Sequence, residues 1–182
     1  MATTTNQLSW EAFEQLPDDG MHHELIEGEL ITSPPPKSKH SEVAKRAFVA
    51  LLAIEKRSSL RAYQEAGYKL SRDPASWIQP DVSFLAAQRA ASADPEGYFL
   101  GAPELAVEVI SPSESPVDVE RKVELFLSHG GQIVWVIYPK TRTVRMFLAD
   151  GSASLHGLND SLALSGILPG WSFPVAMLFE TE

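Results

Sequence analysis

The sequence has no cysteine, which excludes disulfide bonds, a thiolate nucleophile and a cysteine-based zinc site. No apolar run approaches the roughly 20 residues that a membrane-spanning helix needs. The first residues, MATTTNQLSW, lack the basic start and apolar stretch of a signal peptide. The chain also contains no G-x-x-x-x-G-K phosphate loop and no G-x-S-x-G nucleophile elbow. These absences favour a soluble cytoplasmic protein with no membrane partner, and they argue against a P-loop NTPase or an α/β-hydrolase.

Charge is unevenly distributed along the chain. The net charge of −9 argues against a general nucleic-acid-binding protein, because affinity for phosphate comes mainly from lysine and arginine. Residues 37–72, however, contain nine basic and three acidic residues, and both flanking segments are acidic. This basic segment is either a solvated helix face or a phosphate-facing strip beside an acidic cleft that collects metal.

The hydrophobic content of 44% over 182 residues predicts a single domain, residues 1–182, with a core of about residues 22–179. HHELIEGELITS predicts a hairpin, and apolar residues at helical spacing predict a helix over Ser38–Arg57. A second helix should begin at Ser115-Pro116. We also predict four strands, at Arg61–Leu70, Ile78–Leu85, Glu104–Ile110 and Ile133–Tyr138. This order indicates an α/β fold with a mixed β-sheet flanked by helices, the last two strands being parallel.

Two short patches each combine one carboxylate with residues typical of a buried strand: WIQPDVSFL at Trp77–Leu85 and ELAVEVISPS at Glu104–Ser113. Asp81 follows Pro80, which should place it at the start of a strand, although it could also be a turn-capping residue. Glu108 lies between two valines, and a structural salt bridge is the main alternative explanation. A buried carboxylate costs several kcal/mol unless it is paired or bound to metal. Hard cations such as Mg²⁺ or Mn²⁺ prefer such oxygen ligands, so the pair suggests a metal site.

Lys122 follows Glu108 on the predicted second helix. It could be an exposed lysine paired with Asp118, or it could reach over the sheet to an attacking water or a phosphate. His40, at the start of the long helix, could be an ordinary helix-end histidine. Glu24 and Glu65 are further acids near strands that could supply outer-shell contacts. Two carboxylates and a lysine are what a metal-dependent phosphodiesterase needs.

Several segments, in order, resemble the Uma family of restriction endonuclease-like proteins, a bacterial branch of the PD-(D/E)xK nuclease superfamily. They are HHELIEGELITSPPPKSKHSEV, QPDVSFL, GAPELAVEVISPSESPVDVERKVELFLSHGGQIVWVIYP and LPGW. The resemblance extends from about Glu24 to Phe179. It implies a restriction-endonuclease-like core that cleaves DNA with Mg²⁺, with Asp81 and Glu108 as the two acids.

The sequence departs from the superfamily pattern at Ile110, where the motif has a lysine. In the Uma branch that lysine is moved to the next helix, a position that Lys122 occupies. Phe126 replaces a tyrosine that is usual in the family. Glu24 and His40 match the family's ELIDGE and histidine positions, and the resemblance assigns them no role.

The leading hypothesis is a metal-dependent DNA endonuclease in which Asp81 and Glu108 hold one or two Mg²⁺ (or Mn²⁺) ions and Lys122 orients the water. The absent lysine at position 110 and the acidic charge favour an alternative, a non-catalytic binding module on the same fold. A two-carboxylate glycosidase is a weaker third hypothesis, since no aromatic sugar groove is evident. The apolar tail is compatible with a homodimer.

Overall fold

The computed structural model describes residues 7–111 and 114–180, so the last two residues of the second patch, 112 and 113, lie outside the described part. The helices are α1 (Trp10–Phe13), α2 (Ser38–Glu55), α3 (Ala87–Ala91), α4 (Pro116–Ser128) and a final 3₁₀ helix (Val175–Leu178). The strands before α4 are β1 (His22–Ile26), β2 (Glu29–Ser33), β3 (Leu60–Gln64), β4 (Tyr68–Arg72), β5 (Ala75–Ile78), β6 (Val82–Ala86), β7 (Phe99–Leu100) and β8 (Leu105–Val109). Those after it are β9 (Ile133–Tyr138), β10 (Thr143–Leu148), β11 (Ala153–His156), β12 (Ser161–Ala163) and β13 (Ser172–Pro174).

The strands form three sheets. A five-stranded sheet has the order β2-β1-β5-β4-β7, and a six-stranded sheet has the order β11-β10-β9-β8-β6-β3. Strands β12 and β13 form a small antiparallel pair. Both larger sheets are mixed, since β8 and β9 are parallel, as are β4 and β7, while the other pairs are antiparallel. The α/β class with mixed sheets flanked by helices is therefore confirmed, as is the parallel pairing of the last two predicted strands.

Strand β8 lies inside the six-stranded sheet because its sequence, LAVEV, can be buried on both faces. Successive side chains of a strand point to opposite faces. Leu105, Val107 and Val109 accordingly pack in the same cluster as apolar residues of α2. Ala106 packs on the other face, in the cluster that contains the apolar residues of α4. By this alternation Glu108 points to the α4 side.

Helix α4 has clear start and stop signals. The Ser115 hydroxyl accepts a hydrogen bond from the Asp118 backbone N–H (3.1 Å), and Pro116 occupies the first turn. Beyond the helix, Gly131 donates its N–H to the Phe126 carbonyl oxygen (2.8 Å), and the chain continues directly into β9. The buried face of α4 includes Val119, Val123 and Phe126, and Lys122 is buried with them.

Two strand predictions are wrong, since each predicted strand is divided between the two large sheets. The segment Arg61–Leu70 divides into β3 and β4, because the chain turns at Glu65, whose φ is 48°. The segment Ile78–Leu85 divides into β5 and β6. Pro80 interrupts it because proline cannot donate a ladder hydrogen bond. Asp81 consequently lies immediately before β6, at the point where the chain passes from one sheet to the other.

No helix in residues 7–111 and 114–180 is long and apolar enough to cross a membrane.

We predict that Gly131→Ala destabilises the connection from α4 to β9. An added Cβ would lie 2.6 Å from the Phe126 carbonyl oxygen, a backbone atom that cannot move away without distorting the helix end. The expected loss is about 1–3 kcal/mol in the free energy of unfolding, measured by urea denaturation. Gly157→Ala is the matched control, because its Cβ would meet only the Asp160 carboxylate at 3.8 Å. Equal effects of the two substitutions would contradict this prediction.

Candidate active site

Lys122 is the centre of a buried ionic cluster. Its ammonium nitrogen lies 2.8 Å from Glu24 Oε2 and 3.1 Å from Glu108 Oε2. All three side chains are at most 11% exposed. The alternative of an exposed lysine paired with Asp118 is therefore wrong: the Asp118 carboxylate instead accepts a hydrogen bond from the Ser115 hydroxyl (2.6 Å).

The three members of this cluster come from three different elements. Glu24 is on β1 of the five-stranded sheet, Glu108 is on β8 of the six-stranded sheet, and Lys122 is on α4. The apolar cluster around α4 includes residues of both sheets, which brings the two carboxylates to the same helix face. The polar cluster is thus built where two sheets and one helix meet.

Glu24 also connects the lysine to the segment that carries Asp81. Its second oxygen, Oε1, accepts a hydrogen bond from the Gln79 backbone N–H (3.1 Å), two residues before Asp81. The Gln79 side chain in turn contacts the His22 ring (Nε2 to Oε1, 3.0 Å) and donates to the Glu65 carbonyl oxygen. Glu24 therefore holds two groups: one oxygen binds the backbone between β5 and β6, and the other binds the ammonium group of Lys122.

Asp81 is held from two sides. Its Oδ2 accepts a hydrogen bond from the backbone N–H of Val109 (2.6 Å). Val109 is the residue that follows Glu108 on β8. His40, in the first turn of α2, has its Nε2 atom 3.3 Å from the same oxygen. Burial alone would lower the pKa of His40, but the hydrogen bond and charge of Asp81, together with Glu114, outweigh it and raise the pKa. The contact with Asp81 thus favours the protonated form of His40 more than burial disfavours it.

The electrostatics of Glu108 are unusual for a carboxylate. Burial raises the pKa of Glu108 well above its ordinary value, and the charge of Lys122 opposes that effect only in part. The negative charges of Glu24, Asp81 and Glu114 raise this pKa further. Burial disfavours the ammonium form of Lys122, but Glu108 and Glu24 outweigh burial and hold the pKa of the lysine above its usual range.

One oxygen of Glu108 has no partner. Oε1 is buried and makes no hydrogen bond within the described residues. An unpartnered buried carboxylate oxygen is costly, and with Asp81 bonded to the backbone of the neighbouring residue, Val109, it fits a site for a cation. No group of three or more histidine, aspartate or glutamate side chains in residues 7–111 and 114–180 has the geometry of a metal site. Magnesium commonly binds through only one or two carboxylates, with water and phosphate oxygens completing the shell, so Asp81 and Glu108 fit this mode.

Of the candidate residues from the sequence, the structure brings together Asp81, Glu108 and Lys122, with Glu24 and His40 in contact with them. Glu65 differs, because its side chain is exposed and only its backbone joins the network, with its N–H donating to the Asp81 carbonyl oxygen (3.2 Å).

Sequence reasoning missed two members of the surroundings, Gln79 and Glu114. Gln79 could have been noted for its position beside Pro80 and Asp81. Glu114 accepts a hydrogen bond from the Ser111 backbone N–H (2.6 Å) and has no distinguishing spacing in the sequence.

We predict that metal-free protein loses stability with rising pH because of Glu108. Its pKa is raised in the folded state, so the folded form holds the proton more tightly than the unfolded form does. This contribution is complete below the unfolded pKa of about 4.3 and is lost as pH rises through the folded pKa, by at most about 1.4 kcal/mol per pH unit. Urea unfolding in EDTA from about pH 5 to about pH 8 should show a shallower pH dependence for Glu108→Gln than for wild type. His40 is present in both proteins, so its own contribution to the pH dependence does not explain a difference between them. Parallel plots of unfolding free energy against pH would contradict the prediction.

Comparisons with known proteins bear on the family and on the fold. The profile of the Uma2 family, described as "Putative restriction endonuclease", matches residues 10–176. A comparison with curated proteins gave no match. Among solved structures, the fold matches a crystal structure from Anabaena variabilis ATCC 29413, described as "a putative nuclease belonging to DUF820". The TM-score is 0.82 and the sequence identity is 23%, over 94% of this chain and 97% of the other, which shows a shared fold. Since the family profile spans nearly all of the chain, the protein belongs to the Uma2 family.

Proposed function

We propose that this protein is a metal-dependent endonuclease that hydrolyses phosphodiester bonds in DNA. The observation that carries the proposal is the unpartnered, buried Oε1 atom of Glu108, whose other oxygen, Oε2, contacts Lys122. Membership in a family described as restriction endonucleases supports the reaction class. Fold alone would not, because one fold can host unrelated activities.

In this proposal Asp81 and Glu108 hold the metal ion. The ion would polarise a phosphate oxygen and lower the pKa of a bound water. The Val109 N–H and His40 keep Asp81 in one orientation, since both contact its Oδ2 atom. Such support matters because a catalytic carboxylate must be held close to its productive geometry.

Lys122 supplies the positive charge of the site. Its ammonium group is held in place by Glu24 and Glu108 rather than by solvent, so it need not reorganise as the reaction proceeds. In the proposal this fixed charge stabilises the negative charge that develops on the phosphate in the transition state. Glu24 acts as a positioning residue, because it contacts the lysine and the backbone beside Asp81 without offering a free oxygen.

We predict that Asp81→Asn and Lys122→Met each reduce the rate of plasmid nicking by about 100-fold or more in Mg²⁺ or Mn²⁺. The first change weakens metal binding, and the second removes the fixed positive charge. Conversion of supercoiled plasmid to nicked and linear forms on gels is the measurement. Arg145→Gln is the control, because this partly exposed arginine forms an ion pair with Glu120 (3.1 Å) and touches none of the proposed site residues. Equal nicking by all four proteins would show that any cleavage comes from a contaminant or another site.

Calorimetry separates the endonuclease from the alternative of a non-catalytic binding module. We predict that wild-type protein and Lys122→Met bind Mn²⁺ at millimolar concentration or below, whereas Asp81→Asn and Glu108→Gln do not. The reason is that the carboxylates are the proposed ligands and the lysine is not. Thermal unfolding should confirm that each variant is folded. Absence of Mn²⁺ binding by folded wild-type protein would favour the binding module.

A further inference from the structure

Most basic residues of the chain fall into two groups according to their ion pairs. Lys140 and Arg142, beside the turn between β9 and β10, belong to neither group, since they are exposed and form no ion pair with a carboxylate of the described residues. From Arg61 to Lys122, every lysine and arginine has a carboxylate partner. In contrast, the basic residues on or next to α2 form no ion pair with any carboxylate of residues 7–111 and 114–180. We call these residues the basic strip: Lys37, Lys39, Lys45, Arg46, Lys56 and Arg57.

The basic strip is exposed and only weakly opposed by acids. All of its side chains are exposed except Arg46, which is partly exposed. The acids on α2 are Glu42, which is exposed and unpaired among the described residues, and Glu55, which pairs with Arg61 (3.9 Å). In a protein of net charge −9, with acidic residues to spare, this local positive charge is left without neutralisation. It is available to an external anion.

The strip leads away from the candidate active site. The first turn of α2 carries His40, which contacts Asp81; Lys39 lies in the same turn and Lys37 directly precedes the helix. Helix α2 packs on β3, β6 and β8, on the face of β8 opposite to the Glu108 side chain, so its link to the site is the contact of His40 with Asp81. Its 18 residues span about 27 Å at 1.5 Å per residue, a length along which a DNA duplex presents several phosphates of each strand, one per about 3.4 Å of the duplex axis.

Without a bound metal ion, the active-site cluster is a poor attractor of DNA, because its acidic side chains outnumber its basic ones. Glu24, Asp81, Glu108 and Glu114 all influence one another or their shared neighbours through charge, with Lys122 and His40 as the opposing groups. A polyanion needs cations elsewhere to bring it to such a site, since phosphate contacts by lysine and arginine dominate affinity.

We propose that the basic strip is the phosphate-binding surface that holds a DNA duplex against the site of Asp81, Glu108 and Lys122. The inference rests on the proposed function, since it takes DNA as the substrate. The strip contacts the sugar-phosphate backbone and therefore contributes affinity rather than sequence preference.

Fluorescence anisotropy with a labelled DNA duplex tests the proposal in EDTA, where metal-dependent cleavage does not occur. Wild type should bind, and the logarithm of its association constant should fall linearly with the logarithm of the salt concentration between about 50 and 200 mM. The slope of this line is the quantity compared below. The double variant Lys45→Gln/Arg46→Gln should bind about tenfold more weakly at the low-salt end, and its slope should be reduced by about 0.9 for each phosphate that the protein no longer neutralises. The control, Arg72→Gln/Arg145→Gln, removes the same charge from residues paired with Glu11 and Glu120 and should keep the wild-type slope.

Absence of DNA binding by wild type at low salt would overturn the proposal. Equal slopes for wild type and the Lys45/Arg46 variant would overturn it as well. Equally weakened binding by both double variants would also overturn it, because it would show an effect of net charge alone.

The two proposals can fail separately. DNA binding through the strip without cleavage in metal would refute the endonuclease but not the surface, and cleavage with an unchanged slope in the Lys45/Arg46 variant would refute the surface but not the endonuclease.

Discussion

The ammonium group of Lys122, enclosed by the carboxylates of Glu24 and Glu108, is the contact on which the arrangement of the site depends. A charge in an apolar interior must be paired, because its desolvation otherwise costs several kcal/mol. The pairing joins α4 to β1 of one sheet and to β8 of the other. If either carboxylate were displaced, the lysine would be left with too little compensation, so the requirement to pair it restrains all three elements together.

A buried cluster of this kind is a weak means of stabilising a fold, since apolar residues of similar volume often do as well or better. The Glu108 oxygen without a partner makes the arrangement still less favourable as a purely structural device. The proposed site for a cation and a phosphate would account for both features. It also accounts for the separate placement of the positive charge on α2, where the chain can attract a polyanion without neutralising the acids that would hold the metal.

The sequence predicted much of the fold because several segments carry strong local signals. IVWVIY and LAVEV are buried on both faces as expected, and Ser115-Pro116 begins α4. The failures occur where the chain changes sheets, at residues 65–67 and 79–81. Apolar residues lie on both sides of each break, so a single strand is the simpler prediction. Pro80 is a local signal for the second break, but the division of both segments between two sheets appears only in the folded chain.

By itself, the sequence determined the residue types of the site and their local settings: an aspartate after a proline, a glutamate within a buried strand, and a lysine on the following helix. It could not determine the partners of that lysine, since Asp118 is one helical turn away whereas Glu24 lies on a strand of a different sheet. Only the tertiary structure decided between them. The physical reason is that desolvation acts on the assembled core, where Lys122 is buried between the two sheets and must be neutralised by whichever carboxylates the folded chain brings within reach.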